Sequence, residues 1–224
     1  MLGNYEYSVE RNFLDVDEVV GLTTEFNRAY ADIKGARIHE NVIQFDNTDI
    51  QTSKLLNMAH QKIEAYFTDI LSVTDIQLAK VWLVRSKPKD TNTNVLPYLP
   101  HFDQHRYLKA MVYLHEVKAC HGPIHFGKLI NPSDIDRRRK SLPKDYKKHG
   151  LNSIHKDKLA SNMTPILGKA GDVVFFDTNS AHCAGIVEEG FERRVIRFDF
   201  DVKGFNQKPS IINRVVRRFF NRSE

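Results

Sequence analysis

The sequence predicts a mainly β fold, an antiparallel sheet architecture flanked by N-terminal helices. Two observations carry this. Up to about residue 72 apolar residues recur at helical spacing. After Thr74 come "IQLAKVWLVRS", "YLKAMVYLHEV", "GDVVFFD" and "RRVIRFDFDV", short segments rich in β-branched and aromatic residues and separated by Gly, Pro, Asn and Asp. No regular helical period falls between these strands, which argues against parallel βαβ crossovers.

In chain order, Asp15 and Glu18 form a capping pair at the start of a helix over Val16 to Ile33, with Val19, Val20, Phe26, Tyr30 and Ile33 near helical spacing. A second helix is expected from about Asp49 to Ile70, with Leu55, Leu56, Ala59, Ile63, Tyr66 and Phe67 on one side. The strands then form a core over about 76–203, whose Trp82, Phe175 and Phe176 read as packing residues. Residues 128–162 interrupt it with "DIDRRRKSLPKDYKKHG", which is polar, basic and without an apolar period. Residues 128–158 of this insertion read as a mobile basic lid that recruits an anionic substrate and takes no part in metal binding. A C-terminal helix over about 209–221 places Ile211, Ile212, Val215, Val216, Phe219 and Phe220 opposite Arg214, Arg217, Arg218 and Arg222. It would dock on the strand core, touch a membrane surface or pair with a partner helix.

At 224 residues and 41% hydrophobic, residues 1–224 are expected to form a single domain: a helical N-terminal part of about 10–72, the strand core and the C-terminal helix. Neither a secretory signal nor an apolar run of about 18 residues is present, and two cysteines, Cys120 and Cys183, are too few for a disulfide framework. These features suit a soluble protein of the reducing cytoplasm. The net charge of +5 is segregated: residues 128–158 hold ten Lys/Arg against four Asp, and residues 208–224 hold five against one Glu. Such clustering suits an anionic small-molecule or carrier-linked partner. Nucleic acid is disfavoured, because no aromatic stacking platform interleaves the basic runs.

The stretch "PHFDQHRY" contains His101, Asp103 and His105. A His-x-Asp pair alone decides nothing, since a chain with 10 His and 17 Asp has roughly one by chance. A second, His155-Lys156-Asp157, lies within the basic insertion and reads as solvated loop. In an extended segment, however, His101 and Asp103 point to one side and can offer an imidazole and a carboxylate to one ion while Phe102 faces away. Two His and one carboxylate form the facial triad of non-haem Fe(II) oxygenases, and His182, after a buried-type strand and a polar turn, is the candidate third ligand. Eleven positions later Arg193 opens a strand on which Arg193, Val195, Arg197 and Asp199 share one face. A buried arginine there would need an anion, and a dicarboxylate cosubstrate fits its guanidinium fork.

From about Ser8 to Val202 the chain resembles the phytanoyl-CoA dioxygenase family of Fe(II)/2-oxoglutarate oxygenases. The resemblance rests on "NFLDVDEVV", "SKPKD", "HFD", "VYLHEVKACHGPIHF", "GDVVFFD", His182 and the Arg eleven residues after it, in that order. It implies a double-stranded β-helix (jelly roll, cupin-like), with His101, Asp103 and His182 as catalytic metal ligands. Arg193 would hold the distal carboxylate of 2-oxoglutarate, and Arg194 would replace it if the strand register slipped by one. It also implies that Fe(II), 2-oxoglutarate and O2 together hydroxylate a substrate, with release of succinate and CO2. Asp103 argues against halogenation, for which related enzymes carry a small residue at that position. Where the family often has a hydroxyl residue to assist the cosubstrate this chain has Ala184, so Ser86, Lys87 or Tyr113 would have to serve. The Gly-Ser-His stretch usual after the Gly-Pro turn is missing as well, and the basic insertion stands there instead.

Other candidates read more plainly. His105 is expected at the pocket mouth, with a His101-Asp103-His105 zinc-like cluster as the alternative. His115, His121 and His125 straddle the Gly122-Pro123 turn and read as hydrogen-bonded strand ends, and Cys183 as a buried, inert thiol. A jelly-roll binding protein without chemistry, or a metal-dependent hydrolase, are the rival functions. The first should have lost a triad member or Arg193, and the second would not consume 2-oxoglutarate.

Overall fold

The computed structural model describes residues 7–32, 36–39, 42–45, 53–70, 72–88, 97–129, 132–143 and 160–205. Its elements follow the chain as β1 (Tyr7–Glu10), α1 (Val16–Asp32), β2 (Ala36–His39), β3 (Val42–Phe45), α2 (Lys54–Ala65, continued by a wider π turn over Tyr66–Ile70) and β4 (Ile76–Ser86). There follow β5 (Leu108–Tyr113), β6 (Ile124–Leu129), α3 (Pro132–Ser141), β7 (Ala160–Pro165), β8 (Val173–Asp177), β9 (Ala181–Ala184) and β10 (Arg193–Val202). The C-terminal helix expected over 209–221, the residues 144–159 of the basic insertion and Ile33 lie outside the described residues.

All pairings are antiparallel, in a seven-stranded sheet ordered β1-β8-β5-β10-β4-β3-β2 and a three-stranded sheet ordered β7-β6-β9. The N-terminal part is therefore not wholly helical. β1, β2 and β3 precede β4 and extend the large sheet at both edges, and four-residue strands such as "VIQF" are too short to separate from helical spacing by pattern. The two helices begin as their residues dictate. The Asp15 carboxylate accepts from Glu18 N–H and the Glu18 carboxylate from Asp15 N–H, both at 2.9 Å, while Ser53 Oγ accepts from Leu56 N–H and moves the second helix start to Lys54.

Side-chain alternation along β10 divides the molecule. Ile196 and Phe198 point to one side of the large sheet and, with Val81, Leu83, Val112 and Phe175, pack against Leu22, Phe26, Leu56, Ile63 and Phe67 of the helical layer. Val20, counted on the helix face from its spacing, is instead 60% exposed, and Leu22 takes its place in the core. On the other side Val195, Met111, Tyr113, Val174 and Phe176 meet Ile124 and Phe126 of the small sheet and Ile166 just beyond it. Phe175 and Phe176 are core residues as expected, one on each side of the sheet. Trp82 is not: it is half-buried and faces the cavity between the sheets.

Asp172 ties the N-terminus to this frame. Its carboxylate accepts from Asn12 N–H at 2.9 Å, Lys169 N–H at 2.8 Å and Arg11 Nη1 at 2.6 Å, while Gly171 O accepts from Leu14 N–H at 3.1 Å. A Cβ at Gly171, where φ is +87°, would lie 2.4 Å from Leu14 O, so only glycine lets the chains approach. Burial alone would raise the Asp172 pKa, but the two N–H groups and Arg11 outweigh it and hold the carboxyl below its usual value. A carboxyl depressed by folding stabilises the protein above the unfolded pKa, about 3.9, and that stability is lost as pH falls through the folded value. Asp172→Asn is expected to cost about 1–3 kcal/mol at pH 7 and to flatten the acid limb of a plot of stability against pH, measured by urea unfolding between pH 3 and 7.

Candidate metal centre and cofactor pocket

Two segments distant in sequence are joined by an isolated antiparallel bridge: His101 N–H donates to His182 O at 3.0 Å and His182 N–H to His101 O at 3.1 Å. The turn after β8 reinforces the join, since Tyr107 N–H donates to Thr178 Oγ1 at 2.8 Å and Arg106 holds both Asp177 carboxylate oxygens through Nε and Nη2. The paired segments bring the ligand atoms of His101, Asp103 and His182 within 4.8 Å of one another. Asp103 Oδ1 lies 3.8 Å from Nε2 of each histidine. Among the described residues no other group of three or more His, Cys, Asp or Glu could hold an ion.

Each imidazole is oriented from behind. His101 Nδ1–H donates to Leu99 O at 2.8 Å and His182 Nδ1–H to Ser180 O at 2.9 Å, so both Nε2 lone pairs face Asp103. Burial lowers the pKa of His182 to about 3, with His101 adding to the effect, and burial lowers that of His101 too. Burial by itself would raise Asp103, but Lys109 and the two histidines pull it well below the usual carboxylate range. Two neutral imidazoles and one ionised carboxylate converging on one point are the donor set a divalent ion requires.

The centre opens into a cavity of about 660 Å3 between the sheets. The register pairs Arg193 with Ser86, Val195 with Val84, Arg197 with Trp82 and Asp199 with Lys80, and all eight side chains line the cavity. Arg193 is 5% exposed, and Nη2 donates to Ser86 Oγ at 3.2 Å, but Nε and Nη1 have no hydrogen-bond partner and no carboxylate pairs with it among the described residues. Arg194 points the other way and pairs with Glu192 at 3.2 Å.

Of the companions expected for Arg193, Ser86 reaches it. Tyr113 lies beneath the cavity wall with its hydroxyl donating to Ile166 O at 2.7 Å, and Lys87 is exposed outside the cavity. His105 stands at the mouth beside Asp201, 2.5 Å away, and Cys183 is buried with its thiol pKa raised to about 11. His115 accepts from Arg194 N–H, His121 accepts from Lys118 N–H, and His125 donates to Pro123 O, all through ring nitrogens.

Sequence reasoning missed the polar far end of the cavity. There Asp199 accepts from Arg197 at 2.8 and 3.0 Å and from Trp82 Nε1 at 2.8 Å. Sequence reasoning also missed that, at the metal centre, Lys109 Nζ donates to Asp103 Oδ2 at 2.5 Å. The signal was available, because Lys109 and Asp199 are charges inside buried strands.

The described part of the basic insertion is a packed helix, not the unanchored polar segment that the lid reading assumes. α3 sinks Ile135, which is fully buried, against Phe102 and Ala181, and Arg139 donates to Asp103 O at 2.9 Å and to Asn179 Oδ1. One isoleucine produces no periodicity, which is why the segment reads as polar loop. Arg139→Ala is expected to lose about 1.5 kcal/mol of charge-assisted bonding, which lowers global stability by about that amount and speeds hydrogen exchange of the amides in 101–106 by about tenfold.

Neither a protein-family model nor a curated protein matches the sequence. Among solved structures the chain is similar to HygX from Streptomyces hygroscopicus with nickel and 2-oxoglutarate bound, at 14% identity and TM-score 0.61 over 93% of this chain and 87% of that one. It is also similar to the epimerase SnoN in complex with Fe3+, alpha ketoglutarate and nogalamycin RO, at 16% identity and TM-score 0.61 over 93% and 90%. The carbocyclase SnoK from nogalamycin biosynthesis matches at 15% identity and TM-score 0.65 over 97% and 87%. The fold is thus the jelly roll of these neighbours. Among the described residues no helix is long and apolar enough to cross a membrane.

Proposed function

We propose that the chain is an Fe(II)- and 2-oxoglutarate-dependent dioxygenase that hydroxylates a small anionic substrate, free or carrier-linked, in the cytoplasm. One observation carries the reading: a buried arginine without an anion shares its cavity with a His-Asp-His cluster. A structural arginine would hardly be kept so, because an uncompensated buried charge costs several kcal/mol against a total stability of about 5–15 kcal/mol. A dicarboxylate removes the anomaly by giving this guanidinium a carboxylate to pair with.

In this reading His101, Asp103 and His182 hold the iron, and Ser86 Oγ, already bonded to Arg193, assists at the cosubstrate carboxylate in place of the residue at Ala184. Iron and 2-oxoglutarate supply the oxidative decarboxylation that drives hydroxylation. The protein supplies a part-dry cavity walled by Met111, Ile124, Phe176 and Val195. HygX, SnoN and SnoK, as the similar folds that bind or depend on these groups, support the reading, and membership of the phytanoyl-CoA dioxygenase family is the finer form of it. The anionic substrate is inferred from charge. Four cationic and two anionic side chains line the cavity, and Lys80, lying over the Trp82 ring at 5.7 Å, has no carboxylate partner among the described residues.

Anaerobic addition of Fe(II) and 2-oxoglutarate is expected to give the weak visible charge-transfer band of a chelated 2-oxo acid, and Asp103→Ala and His182→Ala should each abolish it. Retention of the band in both variants would remove the ligand assignment. A band without later succinate release would favour a binding protein, and hydrolysis without 2-oxoglutarate consumption a hydrolase.

Arg193→Ala is expected to raise the apparent KM for 2-oxoglutarate about a hundredfold, the equivalent of about 3 kcal/mol, with Fe(II) affinity retained. Arg194→Ala, at the same measurement, should change it little.

A further inference from the structure

Lys109 is the one lysine of β5, and it faces inward. Its neighbours Leu108 and Ala110 enter the helix-side core, whereas Lys109, 5% exposed, reaches across the cavity floor to Asp103 Oδ2. Phe176 and Tyr107 lie about its ammonium, at 6.0 and 5.9 Å. Asp199, opposite Lys109 in the ladder, is already engaged by Arg197 and Trp82, so Asp103 is the carboxylate that Lys109 serves.

The two oxygens of Asp103 are therefore unlike. Oδ2 is held by the lysine, and Oδ1 faces both histidine Nε2 atoms at 3.8 Å. We propose that Lys109 is the positioning residue of this centre: its ammonium clamps Oδ2 so that Asp103 presents a single oxygen, and its charge makes an incoming dication share the carboxylate with a resident cation. The proposal rests on the reading of His101, Asp103 and His182 as a metal centre. It assigns Lys109 two effects of opposite sign on metal affinity, and their sizes decide the outcome.

The clamp preorganises Asp103, but little is gained. The side chain is short, and its backbone is independently fixed by Thr178 O, which accepts from Asp103 N–H, and by Arg139, which donates to Asp103 O. Charge acts more strongly. In a part-buried site a fixed ammonium a few ångströms from a dication repels it, and in the metal-free protein the same ammonium stabilises a carboxylate that would otherwise lack a counter-ion. Both consequences weaken metal binding. Lys109 thus trades affinity for a carboxylate bound through one oxygen, which leaves more positions around the ion for other ligands.

The test is calorimetric titration of Co(II), without 2-oxoglutarate, into the full chain and its Lys109→Met, Lys109→Gln, Lys109→Arg and Asp103→Asn variants. Removal of the charge in Lys109→Met and Lys109→Gln is expected to tighten Co(II) binding about tenfold and to enlarge the rise in Tm that Co(II) produces. Lys109→Arg should bind as the wild type does, and Asp103→Asn should lose binding. A residue that merely supported the site would weaken binding when removed, so weaker or unchanged affinity in the Met and Gln variants overturns the proposal. The Gln variant keeps a polar reach and carries the test if the Met variant does not fold. Co(II) binding by the wild type with no tightening in the variants sinks the role of Lys109 alone, whereas a wild type that binds no Co(II) sinks the metal centre as well.

Discussion

The two backbone hydrogen bonds between His101 and His182 are the constraint on which the centre depends. They fix two chain segments at the spacing of a paired β residue, and strand alternation does the rest. With His101 and His182 paired, their rings lie side by side with centroids 4.5 Å apart. Asp103 then returns to the same side while Phe102 turns away into the small cluster with Ile135 and Ala181. The direction of Phe102 matters as much as that of the ligands. A fully buried phenylalanine is worth about 1.5–3 kcal/mol, and that energy is realised only in the register that aims His101 and Asp103 at the cavity.

The hydrogen bonds behind the rings complete the constraint. Carbonyls of Leu99 and Ser180 accept from the Nδ1 protons, and both belong to the residue two positions before the histidine they orient. Ring orientation is thus local to each segment, and only the bridge is long-range. Arg106 on Asp177 and Thr178 on Tyr107 brace the same junction from the far side.

Much of this architecture was legible in the sequence because it follows from periodicity. β4, β8 and β10 occupy the segments that alternate or run apolar, the Asp15–Glu18 box opens α1, and one face of β10 carries Arg193 through Asp199 into the cavity. What was not legible depends on partners distant in sequence. β2 and β3 are strands because an edge of the large sheet is available to them, not because four residues demand it. α3 is held by Ile135 and by an arginine whose acceptors lie on other segments. The pairings of Lys109 with Asp103 and of Trp82 with Asp199 are tertiary in the same way, and a charge inside an apolar strand announces only that some partner must exist.

The strand ladder also separates the two ends of the cavity. From the Arg193–Ser86 pair to the Asp199–Lys80 pair is six residues along each strand, about 20 Å at 3.3 Å per residue. In the proposed reading a five-carbon diacid anchored at Arg193 cannot span that distance, which leaves the far end, with Lys80, Trp82, Arg197 and Asp199, for a second molecule. Asp199 is neutralised there by Arg197 and hydrogen-bonded by Trp82, and Lys80 is the residual charge. In the proposed reading the fold sets the cosubstrate end by burial and leaves the substrate end half-exposed. Substitutions at Lys80 or Trp82 can then change which anion is accepted without touching the residues that hold the ion or the diacid.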